Sequence, residues 1–327
     1  MDVNDKWLVI VNPHAATGKG GRDWPLINKV LVDEGFDFDA QLTEYQRHAI
    51  EIARKGIVEG GYRKIISIGG DGTNNEVING IFSQDVVPPS GIKVGVIPVG
   101  TGNDWTRMFG FPYDYKEIAK IIKSEFTFLH DIGKVTYYND GNPQVRFFLN
   151  SSGAGLDSAV CQEVNQLKAE GKGGKIHYLL CLIKGLRKHK YCNVKIEVEG
   201  KEVFNEPVLS LSVGNCCFNG GGMKMLPKAV PDDGLLDMTV VSKVSIFKFF
   251  TNATNLYDGT FVDKMKEVKY FQGNKVRITS DPPHSLMVET EGETLTNSPF
   301  DFEVIPKAIN MIIPSPPLRR GAAGGGV

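Results

Sequence analysis

No apolar run in this chain approaches the roughly 18 residues that a membrane-spanning helix needs. The longest, such as YLLCLI at 178–183, stop far short of it. There is no CxxC pair and no HExxH, so zinc-ligand spacing is missing. The 5 cysteines are an odd number, with Cys216 and Cys217 adjacent, which argues for reduced thiols over a disulfide framework. Net charge is missing too. The balance of 37 basic and 38 acidic residues leaves −1, so no overall field steers the molecule to nucleic acid or to an anionic membrane. Any such affinity has to be local. The opening MDVNDKWLVIVNP places only five consecutive apolar residues behind two acids and reads as a strand, not a signal peptide. Together these absences predict a cytoplasmic protein without a nucleic-acid partner.

What is present is ordinary globular material, 41% hydrophobic and 23% charged over 327 residues, a length that suggests two domains. Short apolar runs bounded by turn residues (WLVIV at 7–11, KIISIGG at 64–70, KVGVIPVG at 93–100) suit buried parallel strands. FDFDAQLTE at 36–44 reads as another strand. Helical patterns fall between them, around Trp24–Glu34, Ala49–Glu59 and Asn74–Phe82. This alternation predicts an α/β domain with an open, mostly parallel sheet over 1–131. From about Asp131 the texture changes to short β-rich segments, among them VRFFLN, CNVKIEVEG, VLSLSVGN and KVRITS. They predict a β-rich sandwich or barrel over 132–306, interrupted by a helical insertion near 156–190. The 307–327 segment either returns to the fold or leaves it, and its Pro- and Gly-rich end is expected to be disordered.

Three glycine-bearing turns fall at expected strand ends: NPHAATGKG (12–20), GGDGTNN (69–75) and PVGTGND (98–104). Ligands of open parallel sheets bind beyond the carboxyl ends of the strands, and glycine turns let backbone amides converge on phosphate oxygens. Neither GxxxxGK[ST] nor GxGxxG occurs in these loops, which excludes a Walker loop and a dinucleotide fingerprint. A single Gly-Gly is usually a tight turn. Three such turns in succession favour an anion site. Asp71 among them repels phosphate unless a cation or a substrate proton lies between, so it reads as a magnesium-linked or proton-handling residue. An aspartate there can also cap the following helix.

GGDGTNNEVING, PVGTGNDWTR and PDDGLLDM (231–238), in that order, resemble the diacylglycerol kinase catalytic superfamily, which includes soluble bacterial lipid kinases and sphingosine and ceramide kinases. The resemblance runs to about residue 306 and implies an NAD-kinase-like α/β domain. It implies an ATP site at Asn12, Pro13, His14, Ala15, Ala16, Thr43, Gly69, Gly70, Asp71, Gly72, Thr73, Asn74, Asn75 and Thr101. Ala15-Ala16 stands where the family has Ser-Gly. Asn103, Asp104, Arg107 and Asp131 resemble cleft residues. A Mg2+ ion would be held by Asp233 with the carbonyls of Val230 and Leu235; from the residues alone, PDDG is first a turn signal. The family's Asp-Gly-Glu appears as Glu291-Gly292-Glu293, which makes Glu293 the general base and leaves Glu291 with an extra methylene.

The implied reaction is ATP- and Mg2+-dependent phosphorylation of a lipid hydroxyl, diacylglycerol giving phosphatidic acid. A sphingoid base or ceramide stays open as acceptor. An NAD kinase shares GGDGT, and a catalytically silent lipid- or nucleotide-binding protein is the alternative from another class. Lys175–Lys190 carries Ile176, Leu179, Leu180, Ile183 and Leu186 on one face beside Lys184, Arg187, Lys188 and Lys190. Such a helix suits either a core or a peripheral membrane surface on the inner leaflet. Oligomeric state is not encoded legibly; a homodimer is compatible with the sequence.

Overall fold

The computed structural model describes residues 3–139, 141–156, 191–244, 248, 253–291, 293–295 and 299–315. The expected helical insertion beyond Leu156, with the basic helix at 175–190, lies outside them, as does the tail from 316. The chain forms two compact units, Met1–His130 with Lys307–Val327, and Asp131–Pro306. The division falls directly ahead of Asp131, one residue before the expected boundary and inside a strand. The segment from Lys307 belongs with the first unit.

The first unit is an α/β layer. Strands β1 (Asn4–Val11), β2 (Phe38–Leu42), β3 (Tyr62–Gly69) and β4 (Lys93–Pro98) pair in the order β2-β1-β3-β4, all parallel. The last strand of the chain, β15 (Phe300–Ile312), joins β4 in parallel through Asn310 and Met311. Leu8, Val9, Ile10 and Val11 are all 0% exposed, so both faces of β1 are covered, and this is why that run is apolar without alternation. On one face, α1 (Ala15–Asp33) and α5 (Tyr115–Ser124) bring Ile27, Leu31, Ile118 and Ile122 against Val9, Ile66 and Ile97. α2 (His48–Val58) and α3 (Asp71–Phe82) lie against each other so closely that a Cβ on Gly80 would sit 2.6 Å from Ile50 O. A short helix, α4 (Asp104–Met108), follows the β4 turn.

The sequence places α1 at Trp24, later than its regular helix behind Gly18, because the loop-like AATGKGG precedes any apolar periodicity. In the fold Ala16, Thr17 and Gly18 leave helical geometry, and the helix resumes behind them.

The second unit is antiparallel. β9 (Lys201–Gly214) is its spine and pairs with β8 (Cys192–Val198) through its first half. Its second half lies between β7 (Ser151–Gly155) and β10 (Leu236–Ser242). β7 continues to the hairpin β13 (Val288–Thr290) and β14 (Glu293–Leu295), while β8 continues to β12 (Lys275–Asp281) and the start of β15. β11 (Val268–Gly273) flanks β10. β5 (Thr127–Asn139) pairs with β6 (Asn142–Phe148). The core runs through Phe148, Ile196, Leu211, Met238, Ile278, Phe300 and Phe302. No helix among the described residues is long and apolar enough to cross a membrane.

Candidate active site

In the α/β unit the three glycine turns meet at the carboxyl ends of β1, β3 and β4. Asn12 donates from Nδ2 to Thr73 Oγ1 at 2.9 Å, tying the first turn to the second. Val99 N donates to Gly69 O at 2.8 Å, tying the second to the third. Their glycines are there for close approach. A Cβ on Gly100 would lie 2.5 Å from Gly70 Cα, and one on Gly102 would lie 3.1 Å from Asp71 Oδ2. Thr43, at the end of β2, is buried and its amide donates to Val11 O.

The members of the expected nucleotide set divide by exposure. Thr73, Asn74 and Asn75 are buried. Asn74 Oδ1 accepts from Ser67 Oγ at 2.7 Å and Asn75 Oδ1 accepts from Asn79 Nδ2 at 3.2 Å, so these amides brace the loop from beneath. His14, Gly72 and Thr101 are exposed, and Pro13, Ala16 and Gly70 half-buried. Ala15 is buried. Ala16 (φ 47, ψ 53), Thr17 (φ 58, ψ 45) and Gly18 (φ 83, ψ 7) are left-handed in succession. The position where the resembling family carries glycine is therefore held by an alanine in a glycine's conformation, a strain of roughly 1–2 kcal/mol. Glycine inside a helix ordinarily lowers stability by about 1 kcal/mol. Ala16→Gly should instead leave the melting temperature level or raise it; a clear drop in a thermal melt would show that Ala16 is unstrained.

Asp71 is the first residue of α3, behind Gly70 at the N-cap. Its carboxylate does not merely cap its own helix. Oδ1 accepts the backbone amide of Trp105 at 3.3 Å. Desolvation pushes the Asp71 carboxyl above the usual carboxylate range, while amide donation from Asp104, Trp105, Asp71 itself and Asn103 opposes that. The neighbouring turn is shaped by Asn103 (φ 50), whose Nδ2 donates to Gly100 O at 2.9 Å. Arg107 Nη2 donates to Gly102 O at 3.2 Å, and Arg107 Nε lies 3.7 Å from Asp104 Oδ1. Asp71, Asn103, Asp104 and Arg107 thus belong to one cluster.

The β-rich unit assembles a second group. Asp131, fully buried, accepts Gly234 N at Oδ2 (2.7 Å) and donates its own amide to Pro231 O (2.8 Å). It therefore shapes the Val230–Leu235 turn from within. Asp233 is exposed and accepts Leu235 N at Oδ1 (3.1 Å). Among the described residues no three His, Cys, Asp or Glu side chains gather as metal ligands, so a cation here would rest on Asp233, backbone carbonyls and water. An oxygen-only donor set that leaves room for water fits Mg2+. Glu291 (φ 48) turns the β13–β14 hairpin, and its carboxylate accepts the amide of Asn150. Glu293 opposes Thr290 in that hairpin; its side chain lies outside the described residues.

Sequence reasoning missed Asp237, a fully buried carboxylate just past the acidic turn. Burial pushes its carboxyl up to about 6, against donation from Tyr270 OH (2.5 Å) and Gln272 Nε2 (2.9 Å), with the Asp233 charge raising it further. Its place in LLDMTVV, a strand pattern, gave no signal. A folded-state value raised above that of the unfolded chain favours the fold at low pH, and that contribution is lost as pH rises through about 6. Asp237→Asn should therefore be more stable than wild type near pH ~8, by at most about 3 kcal/mol, keep about half of that advantage near pH ~5 and lose it below pH ~4. A gap that does not change with pH would reject the assignment.

Comparison with known proteins accords with this arrangement. Residues 6–135 match the diacylglycerol kinase catalytic domain, and residues 150–313 match the YegS C-terminal NAD kinase beta sandwich-like domain. The chain belongs to the diacylglycerol-kinase-like family of lipid kinases. Among its relatives, "Putative lipid kinase YtlR" of Bacillus subtilis (strain 168) is 27% identical over 325 residues, covering 93% of this chain and 98% of that protein. "Putative lipid kinase SaurJH9_0749" of Staphylococcus aureus (strain JH9) is 27% identical over 83% of this chain and 85% of its own. A solved structure described as a putative diacylglycerol kinase from Bacillus anthracis str. Sterne superposes with a TM-score of 0.75 at 26% identity, over 96% of this chain and 97% of that one.

Proposed function

We propose that this protein transfers the γ-phosphoryl group of ATP to the hydroxyl of a lipid, with diacylglycerol as acceptor and phosphatidic acid as product. The observation that carries the reading is the junction of the GGDGT and GTGND turns, where Asp71 accepts the Trp105 amide and Gly70 meets Gly100 backbone to backbone. A surface without protruding side chains suits a triphosphate that has to be approached by amides, and the carboxylate beside it calls for a cation or a substrate proton between itself and the phosphates.

In this reading the loops at 12–18, 69–75 and 98–104 hold the nucleotide. Glu293 takes the proton of the acceptor hydroxyl as its oxygen bonds to the γ-phosphorus and the bond to the bridging β,γ-oxygen breaks, releasing ADP. Mg2+ held by the Val230–Leu235 turn, through Asp233, would neutralise phosphate charge. Asp131 keeps that turn in shape.

The test is an assay with labelled ATP, offering dispersed diacylglycerol, a sphingoid base, ceramide and NAD in parallel. Product on diacylglycerol supports the reading. Labelled NADP alone would make the protein an NAD kinase, and nucleotide binding without product on any acceptor would make it a silent binding protein.

A further inference from the structure

Trp105 Nε1 donates to His130 Nε2 at 3.1 Å. An indole N–H can only donate, so this bond requires His130 Nε2 to be bare and accepting. Both side chains are buried, Trp105 at 1% and His130 at 0% exposure. Phe109 lies 4.8 Å from Trp105 and 6.0 Å from His130 between ring centroids, and Phe128 lies 5.9 Å from His130. A polar bond enclosed by aromatic rings has no water to replace it when broken.

The backbone of the same tryptophan carries the amide that reaches Asp71 Oδ1. Its direction is not set by helix regularity. α4 has five residues, and one turn of helix cannot hold itself in water. The residue ahead of it, Asn103, is left-handed. The side-chain bonds from Asn103, Thr106 and Arg107 (to Gly100 O, Asn103 O and Gly102 O) stay within the loop and fix its internal shape only. The indole–imidazole bond ties that shape to β5, 25 positions further along the chain. The anchored indole, together with the Val99–Gly69 bond, limits where the Trp105 amide can point.

We propose that the Trp105–His130 pair positions the 103–105 amides against the Asp71 carboxylate, with His130 as a positioning residue for phosphoryl transfer. The proposal rests on the kinase reading, because it gives Asp71 its task. His130 need not touch substrate. It acts through Trp105, and the property it supplies is an acceptor at a fixed place rather than a charge.

Three variants separate this from simple packing. Trp105→Phe keeps a ring and loses the N–H. His130→Leu loses the acceptor. His130→Gln restores an acceptor oxygen near the same place. Each is measured for kcat at saturating ATP and lipid, for the ATP dissociation constant, and for amide hydrogen exchange across 100–107. Trp105→Phe and His130→Leu should lower kcat by roughly 10–100-fold, the scale of a small misplacement. They should lower kcat by a larger factor than they weaken ATP binding, and speed exchange in that segment. His130→Gln should recover most of both losses. Unchanged exchange in the first two variants overturns the anchor, and accelerated exchange with wild-type kcat overturns its catalytic consequence. If His130→Gln falls as far as His130→Leu, the residue serves packing alone and the proposal fails. Exchange reads the anchor without turnover, so a wild-type protein inactive on every lipid would refute the kinase reading while the anchor remained measurable.

Discussion

Asp71→Asn should lose turnover by about 10³-fold or more at saturating ATP, the scale of a missing acid–base or charge-handling group, while the protein becomes no less stable. The two effects have opposite signs for one reason. The carboxyl of Asp71 sits above its usual range through desolvation. A group raised in this way contributes stability below its unfolded value and loses that contribution as pH rises through its folded value. Burying a charge at this position is therefore a burden on the fold, and asparagine cannot carry that charge yet keeps an oxygen to accept the Trp105 amide. Sites that hold an uncomfortable charge for function often gain stability when it is removed. Thermal melts beside the lipid kinase assay test both halves. An active Asp71→Asn protein would remove Asp71 from the chemistry. An inactive and unfolded one would make the residue structural.

The second large effect concerns the β13–β14 hairpin. Glu293→Gln should lower kcat by roughly 10²–10⁴-fold, the usual share of a general base, with ATP affinity little changed because the residue would act on the acceptor. Glu291→Gln offers the contrast. The Glu291 carboxylate is engaged as the acceptor for the Asn150 amide at a left-handed turn position, and glutamine can still accept there. Its loss should be small beside that of Glu293→Gln. Equal losses in the two variants, or near-normal activity in Glu293→Gln, would reject Glu293 as the base. Because aspartate tolerates left-handed geometry better than glutamate, the Asp-Gly-Glu pattern of the resembling family is also the easier turn.

Much of this was legible in the chain itself, and for local reasons. WLVIV and KIISIGG announce strands covered on both faces because residues with no water on either side need no alternation, and Leu8–Val11 are indeed fully buried. The glycine turns announce themselves because phosphate-like ligands and close backbone contacts both exclude a Cβ, as Gly100 against Gly70 illustrates. The order of the motifs was enough for the family. Other features carry no local mark. SSGAG becomes β7 through pairing with β9 and β13, since its small residues have neither periodicity nor β propensity to advertise it. That Asp131 should hold the Gly234 amide, 103 positions away, is a matter of where two strands come to lie. Asn74 and Asn75 look like ligand groups beside Asp71 and face into the fold because the helix turns them there. His130, one residue before a marked aspartate, shows its purpose only beside Trp105. Local propensity and steric demand are written residue by residue; the partner of a buried polar atom is settled only when distant segments are packed, because desolvation makes that partner obligatory without naming it in sequence.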